Sequence, residues 1–152
     1  MKTRRQFLST VLAGVAFVKA GLLFPIKVFA EWPETAFSIE NPDEAMAELF
    51  GDRAIKETDK IIIEMPSGAE NGAIVPITIK TDLKNVKTIS LIAEKNPVAL
   101  LAQFSFSGIG NGEYLRTRIK LAKSSNVIVV VEADCELCTT KKYIEVLKGG
   151  CD

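Results

Sequence analysis

The residues with the most distinctive chemistry in this sequence are three cysteines, and they fall in two places. Cys151 follows Gly149 and Gly150 one residue before the last, whereas Cys135 and Cys138 form a CxxC pair. An unpaired cysteine kept for packing normally lies in a core, which is difficult for a residue at the end of a glycine pair. A thiolate also forms disulfide-like bonds to sulfur that are reversible by exchange. Cys151 is therefore a candidate site of covalent attachment, with Gly149 and Gly150 as the hinge of a flexible tail.

The CxxC pair has three interpretations. A thioredoxin-like redox pair would require a helix N-terminus after a strand, where the helix dipole lowers the thiol pKa. A metal site would need Cys151 as a third ligand. A disulfide across a hairpin would place Cys135 and Cys138 at the ends of a four-residue turn. Because the pair lies between two predicted strands of an exported chain, the disulfide is favoured and Cys151 is left as the odd thiol.

Other kinds of site are disfavoured by composition. The sequence contains no histidine, so Cys-His and Ser-His nucleophile pairs are excluded and the commonest metal ligand is missing. No segment matches a phosphate-binding glycine loop. We therefore predict no catalytic residue, no metal site and no cofactor in this chain.

The first 30 residues have the features of an export signal. A charged start containing Arg4 and Arg5 precedes an apolar stretch, and Val28-Phe29-Ala30 has the small-residue pattern of a cleavage site. Paired arginines before Phe7 and Leu8 resemble the twin-arginine motif, which implies export of the folded protein to a bacterial periplasm. Charged residues and a proline interrupt the apolar stretch, so we predict cleavage after Ala30 and no stable membrane anchor.

The charge of the mature chain argues against a nucleic-acid partner. Cleavage after Ala30 would remove five of 19 basic residues and none of 19 acidic ones, which leaves a net charge of −5. Nucleic-acid binding usually requires a basic surface. The 122 residues that remain suit one domain with a core of its own.

One short helix and seven strands are predicted in the mature chain. The segment ENPDEAMAELFGD begins a helix with Asn41 as N-cap and Pro42 at the first position, and Gly51 ends it. Pro76 makes its own strand an edge or bulged strand. Seven strands without intervening helices indicate an all-β fold, an antiparallel β-sandwich of immunoglobulin-like type. The predicted strands are KIIIEM, IVPITIKT, VKTISLIAE, LLAQFSF, LRTRIKLA, NVIVVVEA and TKKYIEVL.

The second half of the chain resembles the SoxY family, the sulfur-carrier subunit of the bacterial thiosulfate-oxidising (Sox) system. The segments NPVALLAQFSFS and LRTRIKLAKSSNVIVVVEA, and a last strand that ends on GGC, carry this resemblance over residues 60–151. It implies a β-sandwich whose Cys151 covalently holds sulfur intermediates after Gly149 and Gly150. It also implies a heterodimer with a small β subunit, SoxZ, and transfer among haem, manganese and molybdenum enzymes. The predicted organisation is a signal peptide at 1–30, a sandwich domain at 31–147 and a flexible carrier tail at 148–152.

Two features depart from the family pattern. The family usually ends with two glycines after the cysteine, whereas this sequence has Asp152, whose charge would slightly disfavour a nearby thiolate. The Cys135–Cys138 pair stands where the family more often has a plain turn. A thiol-disulfide redox protein built on this pair, and an adhesion or scaffolding sandwich with an incidental tail, are the alternative functions.

Overall fold

The computed structural model describes residues 34–106, 114–134 and 136–150. The predicted signal peptide at 1–30 lies outside the described residues, as do Cys135, Cys151 and Asp152. A short 3-10 helix, Ala36–Ser38, and an α-helix, α1, Pro42–Phe50, come first. The strands that follow are β1 Ile55–Glu57, β2 Ile61–Glu64, β3 Gly68–Asn71, β4 Val75–Thr81, β5 Val86–Ala93, β6 Leu100–Ser105, β7 Tyr114–Ile119, β8 Ser125–Ala133 and β9 Glu136–Lys148.

The strands form two sheets that pack face to face. The larger sheet has the order β1-β9-β8-β5-β6, with β3 also paired to β9, and the smaller has the order β2-β4-β7. Residues alternate between buried and outward positions along β4, as the period of a half-buried strand requires. Most pairs are antiparallel, and the immunoglobulin-like β-sandwich predicted from the strand spacing is confirmed.

The main core lies between the inner faces of the two sheets. It consists of aliphatic side chains from both sheets, and Ile77, Ile89, Val129 and Ile144 are almost completely buried. Burial of an aliphatic side chain of this size contributes about 1.5–3 kcal/mol to folding. The branched residues that gave the strands their sequence pattern therefore also hold the two sheets together.

Helix α1 covers the outer face of the larger sheet. The Asn41 side chain accepts hydrogen bonds from the backbone N–H groups of Asp43 (2.9 Å) and Glu44 (3.4 Å), which confirms the predicted N-cap. Gly51 ends the helix with φ 61°, a conformation that glycine adopts without strain. A second apolar cluster forms beneath the helix, and it includes Ala45 and Phe50. Within the described residues, no helix is long and apolar enough to cross a membrane.

The strand predictions need two corrections. All seven predicted strands are present, but β1 and β3 were missed, and both pair parallel to β9. β3 falls within PSGAENG, which was predicted to be a connection. The prediction that Pro76 lies on an edge or bulged strand is wrong, because β4 is the middle strand and its register with β7 is continuous. The proline is tolerated because β2 pairs with β4 only from Thr78 onward, so β4 has no β2 partner beside Pro76.

Candidate functional site

The route to Cys151 runs along β9, the longest strand in the described part of the chain. Its first nine residues pair antiparallel with β8, and its last part pairs parallel with β3, where Gly68 lies opposite Glu145 and Asn71 opposite Lys148. Ser124 supports the transition between these partners, because its Oγ accepts a hydrogen bond from the Val146 N–H at 2.8 Å. Regular strand structure therefore continues up to Lys148.

The two glycines after β9 lie against two neighbouring backbone segments, and three backbone hydrogen bonds connect them. The Gly72 N–H donates to the Lys148 carbonyl at 2.7 Å, and the Leu121 N–H donates to the Gly72 carbonyl at 2.8 Å. The Gly150 N–H then donates to the Leu121 carbonyl at 2.9 Å. We call this contact, formed by Gly72–Ala73, Leu121–Ala122 and Gly149–Gly150, the tail anchor.

Glycine is required in the tail anchor because the backbones approach too closely for any side chain. A Cβ atom on Gly149 would overlap the Ala122 carbonyl, and one on Gly150 would overlap backbone atoms of Gly72 and Ala73. A Cβ atom on Gly72 would overlap the Leu121 carbonyl. Since all of these neighbours are backbone atoms, no side-chain rotation can relieve the overlap. These glycines therefore serve close backbone approach, the second general use of this residue type.

Asn96 holds the Leu121–Ala122 side of the tail anchor. This residue is buried in the connection between β5 and β6, and its side chain makes two hydrogen bonds to the segment after β7. Its Nδ2 donates to the Lys120 carbonyl at 2.9 Å, and its Oδ1 accepts from the Ala122 N–H at 2.8 Å. On the other side, Asn71 Oδ1 accepts from the Ala73 N–H at 2.8 Å and shapes the turn. Both sides of the tail anchor are thus fixed by asparagine side chains.

The structure differs from the expectation of a flexible tail that starts at residue 148. Lys148 is part of β9, and Gly149 and Gly150 contact the sandwich. Sequence reasoning assigned flexibility to the glycines because a local pattern cannot show the segments that pack against them. Gly72 and Asn96 were missed for the same reason, since their dipeptides, Asn-Gly and Asn-Pro, indicate only turns. The attachment role of Cys151, which lies outside the described residues, stays a prediction.

Cys138 is placed differently from the expected turn end. β8 ends at Ala133 and β9 begins at Glu136, and these two residues pair, so Cys138 lies inside β9 opposite Val131. Its side chain is 7% exposed in the core between the sheets and is a free thiol. Because Cys135 lies outside the described residues, a disulfide between the two cysteines stays a prediction. A strand position in a core also differs from the helix N-terminus that activates thioredoxin-like cysteines.

The charged groups beside Cys138 are occupied with each other. Lys56 lies opposite Cys138 in β1, and its Nζ is 2.8 Å from Glu136 Oε1. The hydrogen bond and the negative charge of Glu136 raise the pKa of Lys56 above its ordinary value. Among the described residues, no three Cys, Asp or Glu side chains are grouped closely enough to hold a metal ion.

The fold and the tail anchor together define a β-sandwich protein whose last strand leads directly into a Gly-Gly-Cys segment. Residues 46–151 match the family described as sulfur oxidation protein SoxY. The solved structure of the sulfur carrier protein SoxY from Chlorobium limicola f thiosulfatophilum is 34% identical, with a TM-score of 0.64. That match covers 76% of this chain and 100% of the other. The chain therefore belongs to the SoxY family, as its sequence motifs indicated.

More distant matches show the fold alone. The superoxide reductase (neelaredoxin) from Ignicoccus hospitalis is 17% identical, with a TM-score of 0.53 over 60% of this chain and 94% of that chain. This identity is too low to carry function from one protein to the other, and it shows that the same sandwich architecture serves a different chemistry. No curated protein sequence matches the chain.

Proposed function

We propose that this protein is a covalent sulfur carrier in thiosulfate oxidation and that Cys151 is the attachment residue. The observation that carries the proposal is the tail anchor. It holds Gly150 against the sandwich through Leu121, so the cysteine is the first residue beyond a positioned backbone. Membership of the SoxY family supports the same role, since a solved relative is described as a sulfur carrier protein.

The chemistry of loading explains why such a carrier needs partner enzymes. When a Cys151 thiolate and thiosulfate join through a new sulfur–sulfur bond, two electrons are released and no other bond breaks. A haem enzyme is a suitable acceptor for these electrons. The carrier itself contains no histidine that could act as a general base. We therefore propose a carrier subunit, with catalysis by haem, manganese and molybdenum enzymes of the Sox pathway.

The proposed assembly and location follow from the family and from the N-terminal segment. A small β subunit of the SoxZ type would form a heterodimer with the sandwich. The twin-arginine segment at residues 1–30 would direct the folded chain to the periplasm, with cleavage after Ala30. Copurification of the two subunits from periplasmic extract, and N-terminal sequencing that begins at Glu31, would support both points.

Mass spectrometry of the native protein tests the carrier proposal. We expect peptides containing Cys151 with mass increases of about 32 Da for one added sulfur and about 112 Da for thiosulfate joined with loss of hydrogen. Cys151→Ser should lose these adducts and thiosulfate-dependent respiration, while its unfolding temperature changes little. Cys138→Ala is the matched control, because it removes a thiol and should keep the adducts. Normal respiration with Cys151→Ser would refute the carrier role.

A further inference from the structure

The tail anchor limits how far the carried sulfur lies from the sandwich. Gly150 is held by its hydrogen bond to Leu121 and by backbone contact with Gly72 and Ala73. Consecutive Cα atoms are 3.8 Å apart, so the Cys151 sulfur is within about 7 Å of the Gly150 Cα atom. An enzyme that acts on this sulfur while the tail anchor is intact must therefore contact the surface beside it.

A groove of about 500 Å³ lies on that surface, between the β5–β6 connection and β7. Its lining includes Pro97, Val98, Leu101, Arg118 and Lys120. Pro97 and Val98 are exposed, although apolar residues in this connection could pack inward at little cost. We call this surface the β7 groove.

Backbone contacts connect the β7 groove directly to the tail anchor. The Lys120 carbonyl accepts a hydrogen bond from Asn96, and the next residue, Leu121, accepts the one from Gly150. Lys120 uses only its backbone in this contact, so its side chain is available to a partner. The groove and the start of the tail thus form one continuous surface.

The charge of the β7 groove indicates what kind of partner it fits. Arg116, Arg118 and Lys120 alternate along β7 and its continuation, so they share one face, and all three are exposed. None of the salt bridges among the described residues involves these three side chains, in a sequence whose formal net charge is zero. A partner that presents carboxylates beside an apolar side chain would match this pattern of cations next to Pro97 and Val98.

From this combination we infer that the β7 groove is the docking surface for an acidic face of the enzyme that loads sulfur onto Cys151. The inference rests on the proposed carrier function and adds the location and charge of the contact. Cations at the edge of an interface act mainly on the rate of association and on its salt dependence. Their removal should therefore weaken docking and leave the reaction within the complex unchanged.

The experiment uses the mature carrier with its small β subunit and the haem enzyme that attaches thiosulfate. Initial loading rates are measured against carrier concentration for Arg118→Glu and for Lys120→Glu. We expect KM to rise about tenfold or more in each variant, with kcat unchanged and a weaker dependence on salt. Lys60→Glu is the control with the same charge change. Lys60 is exposed at the start of β2, which pairs with the opposite end of β4 from the one nearest the tail anchor, so its KM should not change.

Three results would overturn the inference. An unchanged KM would show that the enzyme docks elsewhere, and a lower kcat at constant KM would show that the cations act on the bound intermediate. Loss of copurification with the small β subunit would identify the β7 groove as the subunit interface. The carrier function fails by a separate result, because it requires that Cys151→Ser abolish loading whatever the two charge variants do.

Discussion

The tail anchor makes a strong prediction about Gly150→Ala. The added methyl group would overlap backbone atoms of Gly72 and Ala73. One way to accommodate it is a backbone shift, which costs about 1–3 kcal/mol, as overpacking usually does. The other way is release of the tail, which loses the hydrogen bond to Leu121 and costs about 0.5–1.5 kcal/mol net. Since the smaller cost decides the outcome, we expect a loss of about 1 kcal/mol.

Gly68→Ala supplies the matched control for this prediction. A Cβ atom on Gly68 would have its nearest neighbour at 3.9 Å, which is an ordinary contact, so this substitution is sterically tolerated. A tolerated glycine-to-alanine change stabilises a protein by about 0.4–1 kcal/mol through the unfolded chain. The two variants should therefore differ by about 1–2 kcal/mol, with Gly150→Ala the less stable.

Thermal unfolding followed by circular dichroism measures this difference. Cys151 should be alkylated in all samples, because exposed thiols would otherwise couple in an oxidising medium. For a domain of this size, each kcal/mol corresponds to about 3–6 °C in Tm. Equal Tm values for Gly150→Ala and Gly68→Ala would refute the close-packing argument. The glycines would then serve flexibility alone, as the sequence first suggested.

Four further predictions concern other parts of the structure. Asn96→Ala should speed hydrogen exchange at the Gly150 amide, since the segment that receives its hydrogen bond loses its support; Asn41→Ala, which removes the helix N-cap and costs about 1 kcal/mol, should leave that amide protected. Unchanged exchange in both variants would contradict the supporting role of Asn96. Cys138→Ser should lower the free energy of unfolding in urea by about 1–3 kcal/mol, because it buries a hydroxyl group in the core. Iodoacetamide should modify Cys151 before Cys138 in the native reduced protein, as peptide mass mapping would show, and equal rates would contradict the burial of Cys138. The raised pKa of Lys56 implies that its contribution to stability is complete below pH 10.5 and is lost as the pH rises through the higher folded value; Lys56→Met should remove this part of the alkaline pH dependence of urea unfolding.

The sequence by itself determined the elements whose signals are local. Alternation of apolar and polar residues identified all seven predicted strands, and the Asn41-Pro42 pair identified the start of α1. These signals are reliable because strand period and helix capping depend on neighbours within a few residues. The Gly-Gly-Cys ending together with the strand motifs also indicated the family, which the comparisons confirmed.

Tertiary structure alone decided the features that join distant segments. β1 and β3 exist as strands because β9 is longer than its pairing with β8 and offers them an edge. Asn96 reaches Ala122 across 26 positions, and Gly72 meets Gly150 only after the whole sandwich has formed between them. A backbone hydrogen bond between remote segments leaves no periodic trace in the sequence. The glycines therefore suggested a flexible tail, and only the folded chain revealed the backbone atoms that pack against them.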